Sequence, residues 1–150
     1  MNLCETLYLC VEHPAMSILN TRRMIRRYTD QPVPRELIEA ILEAGTFAPS
    51  PHNRQPWRFA VVMGEARPRL ATAMGAQLRK DLEADHAPAD VIEKDMARSF
   101  QRITSAPACI AACLCMRDMD VYPDARRNAA EYWMAGQAVA AAQQNMLLRA

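Results

Sequence analysis

The sequence predicts a mixed fold of helices and buried strands, and three observations carry that reading. Apolar residues recur at helical spacing in five stretches. Two short runs, "RFAVVM" and "SAPACIAACLCM", are apolar enough to be buried strands. Pro and Gly punctuate the boundaries between them. Read along the chain, the order is α, α, β, α, α, β, α.

The first helix is expected over residues 15–27, with Met16, Ile18, Leu19 and Ile25 apolar, ending in the basic cluster "TRRMIRRY". The turn "TDQPVP" follows. Pro34 sits at the start of the second helix, where its missing N–H costs nothing. Leu37, Ile38, Ile41 and Leu42 form one apolar stripe, and Gly45 with Pro49 stops the helix. A stiff loop, "APSPHNRQPWRF" over residues 48–59, leads into the first strand, which Gly64 breaks. Two helices follow, one over about residues 67–82 and one from near Pro88, with Val91, Ile92, Met96, Phe100 and Ile103 on one face. Because helices separate the two strands, these are expected to be parallel or part of a mixed sheet. After "RDMDVYPD" comes the longest helix, over residues 124–150. Its density of Ala and Gly, from Ala129 to Ala142, lets helix backbones approach closely and marks it as a central packing helix.

Composition narrows the function. The chain has 150 residues, 51% of them apolar and 23% charged, which suits one globular domain. A net charge of +1 gives no basic surplus for nucleic acid or an anionic membrane. No apolar run reaches the roughly 18 residues of a membrane helix. The opening "MNLCETLYLCVEHPA" carries Glu5 and Glu12 and lacks the basic start of a signal peptide, so the expected location is the cytoplasm. Five cysteines, an odd number, argue against a disulfide framework. Cys109, Cys113 and Cys115 share parity, but no CxxC or nearby His completes a metal site, so they are expected as buried small residues and no metal is expected.

Two clusters have the chemistry to bind something. Arg22, Arg23, Arg26 and Arg27 can hold a phosphate bidentately, or can simply be a solvated helix end favoured by the helix dipole. In the loop, Asn53 and Gln55 each offer a donor and an acceptor to a flat heterocycle edge, and Trp57 offers an apolar body. Pro49, Pro51 and Pro56 lower the ordering cost of binding. Alternatively, Trp57 plugs the core and the amides cap backbone groups. Ser50 and His52 are two residues apart, which by itself pairs nothing. GxSxG, HExxH and Walker motifs are absent, and four glycines supply no GxGxxG fingerprint. Asp85 and His86 are expected to be exposed between helices.

Taken together, residues 21–62 resemble the opening of the nitroreductase family of flavin enzymes, with its Arg-Arg-Ser-x-Arg start, Pro-led helix, Ala-Pro-Ser-x-x-Asn-x-Gln-Pro-Trp loop and strand. A looser similarity runs through "SAPACIAACLC" and "EYWMAGQAVAAAQQNMLLRA". The resemblance implies an α+β fold, a three-layer α-β-α sandwich forming a homodimer with FMN at the interface. It implies that Arg22, Arg23 and Arg26 hold the flavin phosphate from one subunit, with Met24 standing where the family has Ser. Pro49, Ser50, Asn53 and Gln55 reach the flavin from the other subunit. It further implies NAD(P)H as reductant and a small organic acceptor, nitroaromatic, quinone or similar, with no catalytic residue identified. The nitroreductase-like domain is expected over residues 16–150, with residues 1–15 unmatched. The chain stops inside a helix, "QNMLLRA", where the family continues with more strands and a basic pair. The expectation is therefore a C-terminally truncated domain with Met146, Leu147 and Leu148 on an uncovered face. An inactive remnant that binds flavin or pairs subunits is the alternative.

Overall fold

The computed structural model describes residues 14–150. The unmatched segment over residues 1–15, with Cys4 and Cys10, lies outside the described residues but for its last two. The elements are α1 (Pro14–Thr21), α2 (Arg35–Thr46), a 3-10 turn (Pro51–Asn53), β1 (Trp57–Val62), α3 (Ala66–Ala84), α4 (Ala89–Ser105), β2 (Cys109–Leu114) and α5 (Ala125–Arg149). This is the order read from the sequence.

Three boundaries or pairings differ from expectation. First, α1 ends at Thr21 rather than running through the arginines. Its terminal carbonyls are taken up locally: the Arg23 guanidinium donates to the carbonyls of Asn20, Thr21 and Arg22 at 3.0, 3.3 and 3.1 Å. A cation satisfies the orphan acceptors and the negative end of the helix dipole at once. Second, Gly45 does not stop α2 but packs within its last turn. A Cβ there would lie 3.0 Å from Met146 Cγ and 3.1 Å from Phe59 Cζ, so a larger residue would push these side chains of α5 and β1 back by a few tenths of an ångström. Third, the strands are antiparallel, with Trp57 opposite Leu114 and Val62 opposite Cys109. The crossover contains two helices. Arg67, at the start of α3, donates to the Thr104 carbonyl (3.0 Å) and to the Ala106 carbonyl at the end of α4. An antiparallel helix pair returns the chain to the end of the sheet it left, so β2 enters in the reverse direction.

The core lies where α2 and α5 meet the sheet. Ala48, Trp57, Ala138, Val139 and Ala142 form its buried cluster, with Phe59, Ala112, Leu114 and Ala141 packed against it. Ala135 and Ala142 are fully buried, which is the close backbone approach expected of α5. Trp57 is the plug of this core, so of its two readings the packing one holds. Met146 is buried against α2, which corrects the uncovered face expected for it; Leu147 is exposed and Leu148 half-buried. In the helical stripes Ile38 and Ile92 are buried while Leu37, Val91 and Phe100 stay partly exposed. Cys113 is exposed and Cys109 and Cys115 only half-buried, correcting the expectation of buried cysteines. Burial pushes the Cys109 thiol up, partly opposed by Arg67. Among the described residues no three His, Cys, Asp or Glu side chains converge as a metal site, and no helix is long and apolar enough to cross a membrane.

Asp124 caps α5: its carboxylate accepts from the Arg127 backbone N–H at 2.9 Å and from the Arg127 side chain. Those bonds, the backbone one foremost, hold its carboxyl below the usual carboxylate range. A depressed carboxyl stabilises the fold above its ordinary value, near 4 for Asp, and loses that contribution as pH falls through the depressed value. Asp124→Ala is therefore expected to lower the thermal midpoint at neutral pH, and its gap from the parent should close as the pH is taken from about 5 towards 3. A gap that stays constant across that titration would rule out the charged cap.

Candidate functional site

The loop between α2 and β1 is built from an unusual backbone. His52, Asn53 and Gln55 have φ of 46, 53 and 49°, all in the left-handed region. Each such residue costs roughly 1–2 kcal/mol and persists only where its surroundings enforce it. Here they do. The 3-10 turn closes with Asn53 N–H to Ser50 O at 3.1 Å and Arg54 N–H to Pro51 O at 2.9 Å. Ser50 Oγ accepts from the Gln55 N–H at 3.0 Å. Pro56 and Trp57 are buried, and Cys115 N–H bonds the Pro56 carbonyl at 2.7 Å. Two ion pairs tie the loop and the start of β1 to the chain after β2: Arg54 to Asp120 at 2.7 Å and Arg58, in β1, to Asp118 at 3.0 Å. Arg58 also donates to the carbonyls of Gln55 (3.1 Å) and Trp57 (2.7 Å).

Between this loop and α5 lies a cavity of about 610 Å³, within the size range of small-molecule sites. Pro49, Ser50, Pro51 and His52 line it from the loop, and Met134 and Gln137 from α5, with Ala138 and Ala141 alongside. The structure thus brings Pro49 and Ser50 together at one site. Asn53 and Gln55 are exposed on the same loop but outside that lining, and Gln55 Nε2 approaches Asn53 Oδ1 at 3.4 Å. None of Arg22, Arg23, Met24 or Arg26 lines the cavity. Arg23 is engaged in closing α1; Met24 and Arg26 are exposed and Arg22 half-buried. A smaller cavity of about 400 Å³ lies beside Arg27, Tyr28 and Pro34.

His52, Met134, Gln137 and Asp120 went unassigned in the sequence. The α5 pair had a signal: positions 134, 137, 138 and 141 share one helical face. His52 and Asp120 had none, because a left-handed turn and a distant loop bring them together.

A model of the nitroreductase family matches residues 19–150. The chain belongs to the nitroreductase family. A nitrobenzene nitroreductase of Ectopseudomonas oleovorans is 48% identical over 56 residues, 37% of this chain and 25% of that protein. A 4-nitrobenzoate reductase of Pseudomonas putida is 33% identical over 85 residues, 57% of this chain and 36% of that one. A solved nitroreductase from Desulfovibrio desulfuricans, in complex with FMN, superposes with a TM-score of 0.61 at 32% identity, over 93% of this chain and 63% of that one. The chain spans 63% of that structure's length, and its matches cover between a quarter and about a third of the two curated relatives; its α+β architecture is the family's.

Proposed function

We propose that the protein is an FMN-dependent oxidoreductase that passes hydride from NAD(P)H to a small organic acceptor such as a nitroaromatic or a quinone. The observation that carries this reading is the cavity between the strained prolyl loop and α5. The donor set fits FMN. Among the described residues neither Arg22 nor Arg26 is in an ion pair, leaving their guanidiniums for a phosphate. The loop offers the amides of Asn53 and Gln55 and the Ser50 hydroxyl beside apolar Pro49 and Met134. Arg22, Arg23 and Arg26, with the chain at Met24, would hold the phosphate end, and Pro49, Ser50, Asn53 and Gln55 the ring. When bound, FMN would supply the hydride chemistry; the chain would supply charge neutralisation and ring-edge hydrogen bonds.

The arginines are absent from the cavity's lining, which supports completion of the site by a second copy in a homodimer. Phe47, Tyr132, Trp133 and Met134 are exposed at 76, 57, 71 and 42% and give that copy an apolar surface to cover. Three free thiols among the described residues go with a cytoplasmic setting.

Hydrogen bonds to a charged group are worth about 1.5–3 kcal/mol each, so Arg22→Ala is expected to weaken FMN binding about tenfold or more. Quenching of flavin fluorescence on titration measures it. Riboflavin, which lacks the phosphate, should bind parent and variant alike. Equal FMN affinity in the two would remove Arg22 from the site. Flavin uptake without NAD(P)H oxidation in the presence of nitrobenzene would select the binding-only remnant instead.

A further inference from the structure

We propose that His52 donates the proton that accompanies reduction of the acceptor, and that Asp120 positions it. This rests on the oxidoreductase reading above and adds a residue to it. The reduction itself requires the proton. For a nitro group, NAD(P)H + H⁺ + ArNO2 gives NAD(P)⁺ + ArNO + H2O. One N–O bond breaks, its oxygen leaves as water, the nicotinamide hydride brings two electrons and one hydrogen, and one further proton must come from elsewhere.

Among the residues lining the cavity, His52 alone carries an acid–base side chain suited to neutral pH; the rest are Pro, Ser, Met, Gln and Ala. Its backbone is fixed at φ 46°, in a turn locked by the hydrogen bonds described above. Asp120 Oδ1 accepts from Arg54 Nη2 at 2.7 Å, which fixes the carboxylate. Its other oxygen lies 3.7 Å from His52 Nε2. With Nε2 turned to Asp120, Nδ1–H is the group left to donate. The charged groups facing His52 are Asp120 and, behind it, Arg54; α5 presents uncharged Met134 and Gln137 to the same cavity. The imidazole is 68% exposed, so bulk water restores its proton after each transfer.

The test uses the FMN-loaded protein with His52→Asn, since Asn tolerates the left-handed backbone. In the oxidised parent without reductant, added nitrobenzene should shift the NMR signals of the His52 imidazole. Those of His86, exposed in the turn between α3 and α4, should stay in place. After reduction, reoxidation by nitrobenzene should slow with rising pH in the parent. In His52→Asn it should be about 100-fold slower, the scale of general acid catalysis, and independent of pH, with FMN stoichiometry retained. Asp120→Asn should flatten the pH profile in the same way; a parent-like profile there overturns the positioning role. A parent protein that takes up no FMN overturns the oxidoreductase reading and this assignment with it. FMN uptake with an unchanged reoxidation rate in His52→Asn overturns the assignment alone, whether or not the imidazole responds. A slowed rate without any His52 response to nitrobenzene marks a structural effect and overturns it too.

Discussion

Trp57→Ala should cost about 3–5 kcal/mol of folding stability, the range for deleting a large aromatic from a packed core. Trp57 is 5% exposed and sits in the cluster with Ala48, Ala138, Val139 and Ala142. Its neighbours are mostly alanines, three of them on α5 (Ala138, Ala141 and Ala142), which have little side chain to collapse into the space. Trp57 also follows Pro56 at the end of the prolyl loop, so the loss should loosen the strained turn as well as the core. Urea unfolding monitored by circular dichroism gives the difference directly. A change below about 1 kcal/mol, typical of an unremarkable site, would show that Trp57 is not the plug of this core.

Glu131→Met should work in the opposite direction and stabilise the fold. Glu131 is 1% exposed, at the start of the buried stripe of α5 that continues through Ala135, Ala138 and Ala142. Its Oε1 is buried without a hydrogen-bond partner. An unsatisfied buried acceptor costs about 1–3 kcal/mol, and an apolar side chain of similar length removes that cost while keeping the volume. Met also carries better helix propensity than most replacements of that size. A raised unfolding midpoint is the expected result. A lowered midpoint would mean that the carboxylate is satisfied in solution.

The helices were legible because their punctuation is local. Pro34 and Pro88 precede α2 and α4, Asp124 caps α5, and Gly64, at φ 53°, turns the chain out of β1. The strands were legible as apolar runs, but their relative direction was not, since it depends on how α3 and α4 pack rather than on any residue in the strands. The end of α1 is not legible in the sequence because Ile25 continues the helical spacing, while the deciding interaction is Arg23 folding back on three carbonyls. Trp57 could be read equally as a ligand platform or as a plug, and only burial decides. At the site, the loop announced itself through its prolines and amides. Its partner face on α5 was hidden in an Ala-rich stretch that reads as packing, and the carboxylate beside His52 comes from a loop in a different part of the sequence.

The mirror-image backbone at positions 52, 53 and 55 also sets the terms on which this protein can be re-engineered. A library that randomises the loop to change what the cavity binds samples a restricted alphabet at those three positions. Val, Ile and Thr are disfavoured there by their branched Cβ, so variants carrying them should drop out for lack of folded protein rather than for poor chemistry. Gly, Asn and Asp keep the path of the chain while changing what it displays. Diversity is better placed at Met134 and Gln137, where a regular helix accepts almost any side chain and the cavity wall can be reshaped without disturbing the turn.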